Sequence, residues 1–327
     1  MTTTADDSRR ARREAAVQHR AAKSDRAKAE ARLGWLLAGP AFVIMLAVTA
    51  YPIGQAVFDS LFSFRLTAPD ERHFVFLSNY ATIFTDGVFW RALLVTVLIT
   101  VVTVAVELVL GFALALVMHR ALKRLRGMLR TAILVPYGII TVVSAFAWYY
   151  MFDINSGFVN SWFGFVPGIG GDLDWFANFG TAITVIMASE IWKTTPFIAL
   201  LLLAGLAQVP DELLEAARVD GATWWQQMSR VTIPNMKAAI MVAVLFRALD
   251  AFRIFDNVFI MTGGDAGTEV LSLLAYRTSI GRLEIGLGSA ISVVLFLCVL
   301  LICFVAIKFF KVDLASGTDA GGKGGKK

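Results

Sequence analysis

Charge is scarce in this sequence: Asp, Glu, Lys and Arg make up 17% of its 327 residues, against roughly 25% in an ordinary soluble domain. Apolar residues make up 57% and the mean hydropathy is +0.68. One aqueous core cannot hide that much apolar surface, so lipid must cover part of it, and a purely soluble fold is excluded. Cysteine is nearly absent. Cys298 and Cys303 stand five apart in one apolar run, on different faces of a helix, which reads as apolar filling and not as a disulfide or metal framework. The three histidines, His19, His73 and His119, are too scattered to form a ligand cluster. No cleavable leader is expected either. Residues 1–32 alternate Ala with charged residues and hold nine Lys or Arg, too long a basic start for a signal peptide, and the apolar run that follows is long enough to span. An uncleaved cytoplasmic basic tail is expected there.

What remains is a series of long apolar runs. A spanning helix needs about 20 predominantly apolar residues, and six stretches qualify: 33–57, 92–117, 131–152, 181–207, 236–261 and 285–307. The sequence therefore predicts an all-α polytopic membrane protein, with a transmembrane domain over 33–311 and a flexible tail over 312–327. Six spans put both ends on one side. Of the Lys and Arg residues outside the spans, 22 fall in the two tails and in the loops 119–130 and 210–237, and five fall on the opposite side. The positive-inside rule places both termini in the cytoplasm of an inner-membrane protein. The net charge of +5 is thereby explained without nucleic acid. Pro40, Pro52, Pro136 and Pro196 lie within spans and each removes a backbone donor, while Gly111-Phe112-Ala113 and Gly286-Leu287-Gly288 mark places for close helix approach.

The loop 210–234 is more elaborate than a connector needs to be. Pro210 suits the first position of a helix, and Asp211 and Glu212 suit the positive end of its dipole. Gly221 supplies a break where a side chain is expected to collide, and Thr223 with Gln226 matches a capping box for a second helix. Leu213, Leu214, Ala217, Trp224, Trp225 and Met228 give this cytoplasmic element apolar faces. Ala216 and Ala217 keep one face slim enough to enter a groove, and Glu215 offers a carboxylate at its rim. The pattern fits either a docking knob for a partner or an interfacial helix resting on lipid.

The run Glu215-Ala216-Ala217-Arg218-Val219-Asp220-Gly221-Ala222, with Ile233-Pro234 at its end, resembles the EAA loop of binding-protein-dependent ABC importers. Tyr51-Pro52, Trp192 through Pro196, Leu203-Ala204-Gly205-Leu206, Phe255-Asp256 and Thr262-Gly263-Gly264 agree in order along the chain. Together these are similar to the MalF-type permeases of the carbohydrate uptake class. One departure is Asp265-Ala266, where many relatives have Gly-Pro. The resemblance implies a type I ABC importer permease fold in which Glu215, Ala216, Ala217, Asp220 and Gly221 form a coupling helix. It also implies partners: a second permease subunit, two ATPase subunits that bind ATP and Mg, and an extracytoplasmic sugar-binding protein or lipoprotein. The substrate it implies is a disaccharide such as trehalose. No ATP site is expected in this chain. Gly317 to Gly324 superficially fits a Walker A start, but it lacks the final Ser or Thr and has no strand–helix context.

Charges inside spans cost roughly 2.5–3.5 kcal/mol each and need partners or water. The fifth span carries Arg247, Asp250, Arg253, Asp256 and Asn257. On a regular helix Asp250, Arg253 and Asn257 fall within about 60° of one another, with Arg247 an i, i+3 partner for Asp250. Glu190 and Lys193 form an i, i+3 pair in the fourth span, Glu107 is alone in the second, and Ser289 and Ser292 are one turn apart in the sixth. A substrate pathway and interhelical ion pairs both explain this set. For Glu190 and Lys193 a local ion pair is the plainer reading, and for Glu107 an interhelical hydrogen bond. Trp148, Tyr149 and Tyr150 suit an aromatic interfacial belt, or a platform for a sugar ring. An ion-coupled secondary transporter would also explain intramembrane charge, but it leaves the cytoplasmic knob without a purpose. A membrane enzyme would need a nucleophile–base pair or a metal set, which the sequence does not offer.

Overall fold

The computed structural model describes residues 4–120, 126–162 and 173–310, with side chains from residue 31 onward except at 126, 309 and 310. The tail 312–327, including the Walker-like run, lies outside the described residues. The chain divides into two units, residues 1–58 and 59–327. The first is helix α1 (Thr4–Ser60), which runs on through Pro40 and Pro52 and whose stretch Ala31–Ser60 is long and apolar enough to cross a membrane.

The second unit begins with a small hairpin. Strands β1 (Phe62–Ser63) and β2 (His73–Phe74) pair antiparallel, with Phe62 opposite Phe74. The guanidinium of Arg72 lies over the rings of Phe62 and Phe64, 4.6 and 4.9 Å from their centroids, and donates to Asp59 at 2.7 Å. Helix α2 (Ser78–Thr85) is tied to the hairpin by Asn79, whose amide donates to the carbonyls of Ser60 and Phe62. Then come α3 (Gly87–Arg120), α4 (Arg126–Gly138), α5 (Thr141–Phe152), the short α6 (Val159–Trp162) and α7 (Phe179–Leu206). After them follow α8 (Asp211–Val219), α9 (Trp224–Gln227), a π turn over Met228–Thr232, α10 (Ile233–Asn235) and α11 (Lys237–Ala251). The chain ends with α12 (Asp256–Met261), α13 (Leu271–Tyr276), a second π turn over Arg277–Gly281 and α14 (Ile285–Phe310).

Among the described residues four helices pass the test of length and apolarity for a span: Ala31–Ser60, Gly87–Arg120, Phe179–Leu206 and Ile285–Lys308. The expected third span is a pair of helices bent by 86° between Gly138 and Thr141. Pro136 and Gly138 weaken the ladder at the corner. The expected fifth span is not one helix either. It breaks after Ala251 and resumes at Asp256, and the hydroxyl of Ser272 caps the freed carbonyl of Ile254. Polar bonds bridge the break. Arg247 and Asn257 both donate to Glu190.

α3 and α7 pack together along their lengths and carry most of the core. Ile99, Ile186, Val258 and Leu273 fill one end, and Met118, Ile198, Leu202 and Met236 fill the other. Gly111 makes the α3–α7 approach possible, since a Cβ there would lie 2.7 Å from Cγ2 of Ile198. Gly288 likewise lets α14 meet the π turn at Ser279. Gly111→Val is expected to force these helices apart at a cost of about 1–3 kcal/mol. The readout is a lowered thermal unfolding midpoint of the purified chain in detergent, and an unchanged midpoint would contradict the packing described.

Candidate functional site

Two places in the second unit hold polar chemistry that an apolar bundle does not need. The first is buried at the junction of α3, α7 and α11. Arg247 on α11 is 1% exposed and is gripped from two other helices. Its Nε donates to Oε2 of Glu107 at 2.5 Å and its Nη2 to Oε1 of Glu107 at 3.0 Å, a bidentate pair with α3. Nη2 also donates to Oε1 of Glu190 on α7 at 2.8 Å, and Nη1 to Oδ2 of Asp250 one turn on at 2.9 Å. The hydroxyl of Thr194 donates to Glu107 at 2.8 Å, and the amide of Asn257 donates to Glu190 at 2.6 Å and to Ser189 at 3.2 Å. Glu107 is fully buried, so this donor set stands in for the water that burial removes.

Beside the clasp lies a recess of about 140 Å³, lined by Glu190, Lys193, Asp250, Arg253, Asp256 and Asn257 among others. The Asp250 side chain is 65% exposed, so this carboxylate divides itself between the clasp and open space. Asn257 Oδ1 is buried and accepts no hydrogen bond from a described residue; the acceptors on the recess are the carboxylates of Asp250 and Asp256. Arg253 donates to the carbonyl of Leu249 at 3.1 Å and makes no ion pair with a described residue.

The sequence expectations are sorted by this geometry. Arg247 and Asp250 pair as their spacing predicts, and Asp250, Arg253 and Asn257 share one recess despite the break. The local pair Glu190–Lys193 does not form. Glu190 turns to Arg247 and Asn257, while Nζ of Lys193 stands 5.8 Å from the centroid of the Tyr137 ring. Glu107 accepts interhelical hydrogen bonds, as expected, from Thr194 and Arg247, and in doing so is also a counter-ion of Arg247. The signal that could have found it was charge balance: an isolated carboxylate in an apolar helix needs a cation from elsewhere in the bundle. Ser289 and Ser292 sit on α14, do not line this recess, and Ser292 returns its hydroxyl to the carbonyl of Gly288 at 2.9 Å. Trp148 joins an aromatic wall, stacked on Phe152 and tilted against Trp192.

The second place is the helix pair α8 and α9. α8 ends in a Schellman turn: the N–H of Ala222 donates to the carbonyl of Ala217 at 2.9 Å, and that of Gly221 to the carbonyl of Arg218 at 3.0 Å. Gly221 has φ +75°, and a Cβ there would meet nothing within 4 Å. Within this chain glycine is needed for the left-handed backbone and not to avoid the expected collision. Thr223 and Gln226 form the capping box their spacing predicts, with bonds of 2.7 and 3.4 Å. Leu214 packs onto the core, and Met228 is buried. Leu213, Glu215, Ala216, Val219 and Trp225 are exposed, Val219 by 88% and Trp225 by 73%. The pair is a rigid, amphipathic element with an anchored face and an unoccupied one.

Residues 107–312 match the family described as the binding-protein-dependent transport system inner membrane component. The chain is 47% identical over 293 residues to the trehalose transport system permease protein SugA of Mycobacterium tuberculosis, covering 90% of this chain and 93% of that one. It is 36% identical over 282 residues to the trehalose/maltose transport system permease protein MalF of Thermococcus litoralis, covering 85% and 94%. Its fold is similar to a chain of a crystal structure of a bacterial ABC transporter involved in the import of the acidic polysaccharide alginate. The TM-score there is 0.72 at 21% identity, over 85% of this chain and 95% of that one.

Proposed function

The chain belongs to the binding-protein-dependent transport system inner membrane components, and from that premise we propose that it forms half of the translocation path of an ATP-driven importer for a disaccharide such as trehalose. It is a permease subunit of an ABC transporter, and ATP hydrolysis belongs to separate subunits. In this reading the bent pair α4–α5 and the interrupted pair α11–α12 each complete a span, giving six, with both termini in the cytoplasm as the distribution of Lys and Arg requires. The second permease subunit, two ATPase subunits holding ATP and Mg, and an extracytoplasmic sugar-binding protein or lipoprotein complete the assembly.

One observation supports the coupling role most directly. α8 and α9 present exposed Val219 and Trp225 from a turn locked by a Schellman motif and a capping box. A lever must be stiff to transmit a displacement, and this one is held at both ends. Glu215, Ala216, Ala217, Asp220 and Gly221 would enter a groove on an ATPase, whose closure would favour one arrangement of the bundle over the other. The family assignment favours this reading over an ion-coupled carrier.

For the substrate, the recess beside Arg247 carries both donors and acceptors, which sugar hydroxyls require. Asp250, Arg253, Asn257, Lys193 and Glu190 would line the pathway, with Ser289 and Ser292 contributing from α14. In this reading the recess is one wall of the path, and the second permease subunit supplies another. Asp250→Ala is expected to lower uptake of labelled trehalose by the reconstituted complex about tenfold, the value of one hydrogen bond to a charged group. Complex recovery should stay unchanged. Loss of the complex from the membrane, with normal uptake per complex, would assign Asp250 to packing. Uptake by this chain alone, without ATPase subunits, would overturn the importer reading.

A further inference from the structure

The face of the α8–α9 pair turned toward the bundle is not fully packed. Behind it lies a recess of about 250 Å³ between these helices and the ends of α3 and α7. Its floor is apolar, with Leu116 of α3 and Leu206 of α7. Its rim carries His119 and Arg120 from the last turn of α3, Arg218 from the last turn of α8, and the ring of Trp224. Helix dipoles favour cations at those two helix ends, but among the described residues neither Arg120 nor Arg218 has a carboxylate partner. Arg120 lies over Trp224, 5.8 Å from its centroid. Asp211 is the one acidic side chain on the lining.

We propose that this recess binds a phosphate group, and that the group is the headgroup of an anionic phospholipid. The proposal rests on the reading that places this end of the bundle at the cytoplasmic surface. Arg120 and Arg218 line one recess with apolar Leu116 and Leu206 where two membrane helices end, so a headgroup would meet the two arginines while its acyl chains remain beside α3 and α7. A basic pocket between membrane helices on the cytoplasmic side is the arrangement that selects anionic over zwitterionic lipid. Because the coupling pair forms one wall, the bound lipid would brace α8 and α9 against the bundle from the side opposite the face offered to the ATPase. Membrane composition would then set how firmly the lever is seated.

The test uses the full chain alone, without ATPase or sugar, so its outcome is independent of the importer reading. Purified protein in neutral detergent is mixed with equal amounts of phosphatidylglycerol and phosphatidylcholine, and the lipid retained is read by native mass spectrometry. Wild type should retain phosphatidylglycerol in preference. Arg120→Gln should weaken that preference about fivefold, the effect of one cation near an anionic surface. Arg120→Gln with Arg218→Gln should abolish it, and Arg120→Lys should keep most of it, which separates lost charge from lost folding. Displacement of the lipid by millimolar inorganic phosphate would support phosphate recognition at this site. Binding of inorganic phosphate without any preference for phosphatidylglycerol would overturn the lipid assignment. Equal retention of both lipids, or a double variant indistinguishable from wild type, would overturn the proposal.

Discussion

Replacing Arg247 with alanine is expected to leave little folded protein to recover from the membrane. The substitution removes one guanidinium and strands two carboxylates, Glu107 at 0% and Glu190 at 9% exposure, inside the bundle. Breaking a single buried ion pair by deleting one partner costs about 3–5 kcal/mol, and Arg247 serves two buried acids at once. That approaches the whole stability of an ordinary domain. The measurement is the monodisperse fraction after detergent extraction, together with its thermal midpoint. Glu107→Leu combined with Arg247→Met should recover part of the loss, because the pair is then exchanged for apolar volume and only Glu190 is left, bonded to Asn257. Wild-type behaviour of Arg247→Ala would mean that water reaches the cluster, and the dry clasp described above would be wrong.

Gly221→Val is expected to reduce ATP-driven uptake more than tenfold while insertion and thermal stability stay close to wild type. The φ of +75° at this position costs a residue with a Cβ about 1–2 kcal/mol, and more for a β-branched one, so the Schellman turn will open and α8 and α9 will lose their fixed angle. α8 has no fully buried side chain, and of its residues Leu214 is the one that packs against the core, so little packing depends on that turn. The loss should therefore fall on coupling and not on the fold. Gly221→Asn is the control, because asparagine tolerates the left-handed region, and it should retain most of the uptake. Full uptake by Gly221→Val in reconstituted vesicles would remove the lever from the mechanism.

The sequence made some of this legible because the signals are local. The capping box of Thr223 and Gln226 follows from a three-residue spacing, and the long apolar runs of α3, α7 and α14 follow from composition alone. The clasp was not legible, because Glu107 and Arg247 are 140 residues apart and no periodicity connects them. The break between Ala251 and Asp256 was missed for a related reason. It contains neither Pro nor Gly, and the bonds that bridge it, from Arg247 and Asn257 to Glu190, join residues far apart in sequence. The corner between α4 and α5 did carry a mark in Pro136, but proline announces a disturbance without giving its angle. Glu190 and Lys193 show the opposite error, where a favourable spacing was overruled by a stronger partner across the bundle.

The clasp also imposes an order of events during synthesis. Helix α11, with 15 residues and Arg247 and Asp250 among them, is too short and too polar to enter lipid on its own. The acids it needs lie earlier in the chain, in helices whose apolar length carries them in first: α3 with a peak hydropathy of 2.7 and α7 with 1.4. Both receiving carboxylates precede Arg247 in the chain and so leave the ribosome before it, which lets the late segment find its partners in helices already made.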